Sequence, residues 1–281
     1  MKTASVFAAA ALFAAAPLFA DWDFEECKYK EARNLTTPSA GVTRVIIHGE
    51  SGSLTVEGRQ NVAQVTVMGQ ACTSDDEFLP RMTLIARKVG GDLHITADIP
   101  EKTVIFGFFQ ARIDFSVILP AGLPVEIDDG SGWIKISNTG ATSIDDGSGS
   151  IDARNIRGEL KINDGSGEID VRDVVGSVEI EDNSGEIDIR NITGNVEIED
   201  GSGAISVREV SGLVRIPDDG SGSITIENVK RDVLIREDGS GSISVADIGG
   251  DFRVDRKGSG GIDYDRVAGK VSVPSRDRRR D

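Results

Sequence analysis

From Asp128 onward, aliphatic and polar side chains alternate in short bursts separated by a Gly-Ser-Gly corner. Between Ser150 and Gly167, Ile151 and Ala153 alternate with Asp152 and Arg154, and Leu160 and Ile162 alternate with Glu159 and Lys161. A period of two predicts two short β-strands, each with one face turned inward. Ile156 falls between the bursts as a corner filler, and Gly158 opens the second strand. A helix is excluded, because the apolar period is wrong and the recurrent glycines would break it.

The corner recurs at Gly130, Gly147, Gly165, Asn183, Gly201, Gly220, Gly239 and Gly258, with spacings of 17, 18, 18, 18, 19, 19 and 19 residues. A period this short and regular is the mark of a solenoid, in which no single repeat can bury its own apolar face. The next two units place Ile169, Val171, Val174, Val178 and Ile180, then Ile187, Ile189, Ile192, Val196 and Ile198, at the inward positions. Burial of each contributes roughly 1.5–3 kcal/mol. The later units carry one extra residue before the corner (Pro217, and its equivalents near Arg236 and Asp255), which reads as a bulge that leaves strand register intact. The first period is one residue short around Thr139-Gly140. The expected fold is all-β: a parallel β-helix, or β-solenoid, of about seven coils of 17–19 residues. Ile151, Ile169, Ile187, Ile205, Ile224, Ile243 and Ile262 should form one buried column.

Upstream, the alternation is less regular. Glu50-Ser51-Gly52-Ser53-Leu54-Thr55-Val56 is a degenerate copy of the corner and strand. Further strands are expected at 82–85 and 93–96, followed by a hairpin-like segment at 104–109 and a strand from Phe115. The exposed end of a solenoid is a sheet edge and an aggregation hazard, so this Phe-rich region reads as a cap. The organisation expected is a signal peptide at 1–20, an N-terminal β-rich cap region at 21–124, solenoid repeats at 125–273, and a basic tail at 274–281.

The segment Val117-Ile118-Leu119-Pro120-Ala121-Gly122-Leu123-Pro124-Val125, with the serial Ser-Gly-x-Ile-x-Val units after it, resembles the bacterial DUF4097 family of β-strand repeat proteins, which carries the label of adhesin. The resemblance covers roughly residues 41–273. It implies the repeat fold and a structural or binding role, and it brings no catalytic residue set.

The leader changes where the protein is expected to work. Lys2, then an almost wholly Ala, Phe, Leu and Val run to Leu18, then Phe19-Ala20 before charged Asp21-Trp22-Asp23, is the pattern of a secretory signal peptide cut after Ala20. The mature chain is therefore expected in the periplasm, at the cell surface or outside the cell. No later apolar run is long enough to span a bilayer. The formal net charge is −16, and loss of Lys2 with the leader adds one further negative unit. Such a surface repels nucleic acid and anionic lipid. The two cysteines, Cys27 and Cys72, are expected to pair once exported.

Two sets of polar side chains repeat with the coils. Asp129, Asp146, Asp164, Asp182, Asp200, Asp219 and Asp238 stack before each corner, and the column ends at Lys257. Each carboxylate is expected to accept N–H groups from the following Gly-Ser-Gly, as in an Asx turn. Ca2+ bridging the carboxylates is the alternative, though the Gly-Gly-x-Gly-x-Asp nonapeptide of Ca2+-binding β-rolls is absent. The second set is Arg154, Arg172, Arg190 and Arg208, sharing an outward face with Asp152, Asp170 and Asp188. It reads first as a solvated charged face and alternatively as a binding stripe for an acidic, repeating partner, with an envelope polysaccharide or another copy of the chain the expected partners. No metal or other cofactor is expected. Paired acids also suit a carbohydrate-active β-helix enzyme, the alternative class. Against it, the acids occur in every coil, and the corner serines lack a histidine partner. A non-enzymatic envelope protein is the reading favoured.

Overall fold

The structure, a computed structural model, describes residues 28–101 and 109–274. The leader, Cys27, most of the hairpin-like segment and the arginines of the tail lie outside the described residues. Two 12-stranded sheets face each other across one continuous core. From Val125 each coil gives one strand to either sheet. Val125–Asp129, Thr142–Asp146, Leu160–Asp164, Val178–Asp182 and their successors build one sheet. Ile134–Ser137, Ile151–Arg157, Ile169–Val175, Ile187–Ile192 and their successors build the other.

Every neighbouring pair in this region is parallel, and in register apart from one local shift. Ile151 lies beside Ile169, Ile169 beside Ile187, and the column continues through Ile205, Ile224 and Ile243 to Ile262. All are buried except Ile262, which is half-buried, because its strand Ile262–Val267 is the last of its sheet among the described residues. The expected column is thus corrected at its end. Where about seven coils were expected, eight two-strand coils run from Val125 to Val267, one for each corner. Pro217 sits where the pairing shifts between Glu197 and Glu199, and Asp200 and Asp219 are opposite each other again beyond it.

A backbone device in each coil escapes a simple reading of alternation. Asn138, Asn155, Asp173, Asn191, Glu209, Asn228, Asp247 and Arg266 all have φ between 50° and 61°. Two inward side chains such as Ile151 and Ala153 precede this residue, and Ile156 follows it. The left-handed residue resets the phase, so that two outward positions occur in succession and Ile156 still points into the core. Asn and Asp occupy most of these positions because their short polar side chains tolerate this conformation best among non-glycine residues.

The coil arrangement extends back into the N-terminal region in an order the chain does not follow. Arg44–His48 and Leu54–Arg59 form a coil stacked directly on Val125–Asp129 and Ile134–Ser137. On its other side lies a coil made of Asp92–Asp98 and Ala111–Pro120. The coil first in sequence is therefore held between two that come later. Residues 121–124 cross beside it, with the Ala121 N–H donating to the Arg59 carbonyl and the Val45 N–H to the Pro124 carbonyl, both at 3.0 Å. The stack is closed by antiparallel strands: Gln64–Thr73 pairs with Ala111–Pro120, Tyr29–Pro38 with Gln64–Thr73, and Thr83–Val89 with Asp92–Asp98. The outward positions of Tyr29–Pro38 are exposed and mostly polar, as an end strand requires.

Candidate functional site

Three polar features follow the coils along the stack. On the outer face of the sheet that contains Ile151–Arg157, arginines and aspartates interleave. Arg154 Nε lies 2.6 Å from Asp152 Oδ1, and its Nη2 lies 3.4 Å from Asp170 in the next coil. Arg172 Nε is 2.7 Å from Asp170, Arg190 Nη2 is 3.9 Å from Asp188, and Arg208 reaches both Asp188 and Glu227 at 3.5 Å. The ladder is a lattice of ion pairs within and between coils, so much of its positive charge is neutralised by its neighbours. Exposed pairs of this type stabilise by ~0–1 kcal/mol each.

The second feature is a groove of about 510 Å3 along the corner that follows the same strands. It crosses five coils, from Gly58 and Gln60 through Asn138 and Asn155 to Asp173 and Asn191. The left-handed residues Asn138, Asn155, Asp173 and Asn191 line it as a row, the last three each directly following a ladder position: Asn155 after Arg154, Asp173 after Arg172, Asn191 after Arg190. Asn191 Nδ2 donates to Asp173 Oδ1 at 2.5 Å, which ties adjacent coils together. Val175, 61% exposed, supplies an apolar wall. In a chain this acidic, the groove is unusual in holding one arginine, Arg157, and one acid, Asp173. Sequence reasoning missed it, although the signal was present: an Asn or Asp at a fixed offset before the corner aliphatic of most coils.

The third feature is the aspartate column, and it is buried. Asp129, Asp146, Asp164, Asp182, Asp200, Asp219 and Asp238 are between 0% and 6% exposed. They lie opposite one another in register along the sheet, with Lys257 beside Asp238 at the end. Parity explains the burial: Leu160 and Ile162 point inward, so Asp164, two residues on, points inward as well. One oxygen of several members accepts the N–H of the corner serine: Ser148, Ser166, Ser184 and Ser202 donate to Asp146, Asp164, Asp182 and Asp200 at 3.0–3.3 Å. The other oxygen of Asp129, Asp146, Asp164, Asp182 and Asp200 is buried without a hydrogen-bond partner, as are both oxygens of Asp219 and Asp238. Burial pushes these carboxyls upward, Asp129 and Asp219 to about 7 and Asp164 and Asp200 to about 6. Asp146, Asp182 and Asp238 are raised for the same first reason.

Elsewhere, His48 and His94 stack with ring centroids 6.4 Å apart on adjacent N-terminal coils, and His48 Nδ1 lies 3.4 Å from Asp128. Among the described residues, no three His, Cys, Asp or Glu side chains are arranged to hold a metal ion. No described helix is long and apolar enough to cross a membrane. Cys72 is buried on Gln64–Thr73, and its expected partner Cys27 lies outside the described residues.

Among solved structures, the chain is similar to a putative adhesin from Bacteroides fragilis, at 12% identity and a TM-score of 0.43, over 87% of this chain and 97% of that one. It is also similar to a putative lipid binding protein from Parabacteroides distasonis, at 16% identity and a TM-score of 0.40, over 88% and 98%. A putative cell adhesion protein from Clostridium sporogenes is similar at 13% identity and a TM-score of 0.28, over 88% and 100%. No curated protein matches the sequence. Residues 45–212, more than half of the sequence, match the family described as Toastrack DUF4097, and the chain belongs to that family.

Proposed function

We propose that this is an exported, non-enzymatic protein of the cell envelope that binds a linear polysaccharide along the groove of left-handed residues. The observation that carries the reading is the groove itself: a nearly uncharged channel crossing five coils of an otherwise strongly acidic molecule. Amide side chains both donate and accept, which suits sugar hydroxyls. Those of Gln60, Asn138 and Asn155 are exposed at the groove. Asn138 and Asn155 repeat at the coil spacing, about 4.8 Å. A repeating polymer can meet such a row many times over, so weak contacts add up. Arg154, Arg172, Arg190 and Arg208 run along the rim and would favour a polymer with occasional acidic groups.

A non-catalytic role is supported by the periodicity of every polar constellation. A catalytic site needs one unrepeated set of groups in a pocket. Purified mature protein should bind envelope polysaccharide measurably without shortening it. Replacing Asn138, Asn155 and Asn191 together with Gly, which keeps the left-handed backbone while removing the amides, should weaken binding by at least ~10-fold in protein that still folds. Replacing the four ladder arginines with Gln should remove the salt dependence of binding instead. Release of reducing ends from the polymer, or full binding by the triple-Gly protein, would overturn the reading.

A further inference from the structure

A buried carboxylate column is an unlikely thing to build from charged groups. Seven side chains, each at most 6% exposed, follow one another at the coil spacing of about 4.8 Å. At least one oxygen of each is buried without a partner, and no cation-holding cluster exists among the described residues. The charged groups beside the column do little to offset it. Asp128, Asp145, Glu181, Glu199, Asp218 and Glu237 precede its members in the chain, and Glu168 and Glu186 stand just past the corner, immediately before the strands Ile169–Val175 and Ile187–Ile192. All are acidic. Among the described residues, the cation at the column is Lys257, beyond Asp238. His48, at the other end, engages the outer Asp128 and not the column. At that end Asp129 packs directly against Gly49, with no room for a side chain there.

We propose that the aspartate column is a proton-binding spine: folding loads it with protons, shared along the stack, so that the solenoid becomes more stable as its surroundings acidify. A protonated carboxyl gives each orphaned oxygen a donor or removes its charge, and either change lowers the cost of burial. Interior members would share protons in coupled steps, because neighbours one coil apart cannot all be ionised cheaply. The direction follows from linkage. A carboxyl whose proton affinity is higher in the folded than in the unfolded chain stabilises the fold when protonated, and that contribution is lost as pH rises through its folded value. With folded values of about 6 to 7 for Asp129, Asp164, Asp200 and Asp219, stability should climb as pH falls from about 7.5 to about 5. The ion-paired acids Glu57, Asp92 and Asp247 are shifted the other way by their arginines, and their contribution fades only at lower pH, through their depressed folded values.

The test is the melting temperature of the mature protein from about pH 7.5 to 5. It is measured beside Asp164→Asn/Asp182→Asn/Asp200→Asn, and beside Glu181→Gln/Glu199→Gln as a control that removes exposed charge from the neighbouring column. The unaltered protein should gain at least ~4 °C on acidification. The column variant should melt higher near neutral pH and lose part of the gain, since Asp129, Asp146, Asp219 and Asp238 remain, while the control keeps all of it. Should the triple variant fail to fold, 13C NMR titration of the aspartate carboxyls in the unaltered protein decides the matter: several midpoints above about 5.5 support the spine, and all midpoints near 4 overturn it. A flat or falling profile in the unaltered protein, or an equal gain in the column variant, overturns it as well. If added Ca2+ near neutral pH raises the melting temperature as acid does, and the column variant loses that response, the ligand is a metal cation and the proton reading fails.

Discussion

At the scale of single residues, the coil is set by two backbone positions that alternation alone does not specify. Gly203 closes its corner with φ at 151°, and a Cβ there would lie 1.5 Å from the carbonyl oxygen of Gly185 in the coil below. Its equivalents Gly149, Gly167, Gly185, Gly222 and Gly241 meet the same obstacle. Gly203→Ala should therefore cost several kcal/mol, through both the dihedral and the clash, and appear as a large drop in the denaturant midpoint. The left-handed column offers the opposite prediction. Glu209 adopts φ of 60° where most coils place Asn or Asp. Glu209→Asn should stabilise by about 0.5–1 kcal/mol, read as a higher midpoint with an unchanged slope. Asn155 and its equivalents were visible in the sequence as letters, but their conformation was not. Period-two reasoning assumes a strand of constant phase, and these residues exist to break it.

At the scale of strands and coils, the regular part of the chain was legible and the burial of its polar side chains was only half so. The column from Ile151 to Ile243 follows directly from counting inward positions, because a one-residue slip would turn every aliphatic to solvent. The same count places Asp164 and Asp200 inside. Reading them first as turn formers captured the serine N–H bonds and overlooked the second oxygen, which has none. The N-terminal coils were legible as strands but not as an arrangement. Sequence order puts Arg44–His48 before Asp92–Asp98, whereas space puts it between that strand and Val125–Asp129. No local pattern encodes such threading. Position in the stack also grades the cost of mutation. Ile187, fully buried between two coils, should lose about 2–5 kcal/mol on replacement by Ala. Ile262 is half-buried on the last strand of its sheet, so the same change there should cost clearly less. Equal destabilisation at the two sites, measured by urea unfolding, would mean that the last coil is covered in solution.

At the scale of the whole molecule, each coil touches its neighbours and little else, so stability should be close to a sum of coil and interface contributions. The N-terminal end is the exception. There the coil Arg44–His48 with Leu54–Arg59 is clamped between later segments, and antiparallel strands seal the stack. Opening this region requires moving several chain segments together, whereas the outermost strand, Tyr29–Pro38, is held through Gln64–Thr73 alone in its sheet. Lys30 lies opposite Cys72 in that pairing, and Cys27 stands three residues before Lys30 in the chain. A Cys27–Cys72 bridge would pin the free end of the outermost strand, closing a loop worth roughly 4 kcal/mol in a chain-entropy treatment. Protein isolated from an oxidising compartment should show no free thiol when denatured without reductant. Its reduction should accelerate amide hydrogen exchange in residues 29–38 and 64–73 first. The strands from Thr142–Asp146 to Ile243–Ile248 contain no cysteine and should keep their protection. Two free thiols before reduction would rule out the bridge. Uniform loss of protection along the stack would instead show that the cap and the coils unfold as one unit, and that the one-dimensional description fails for this protein.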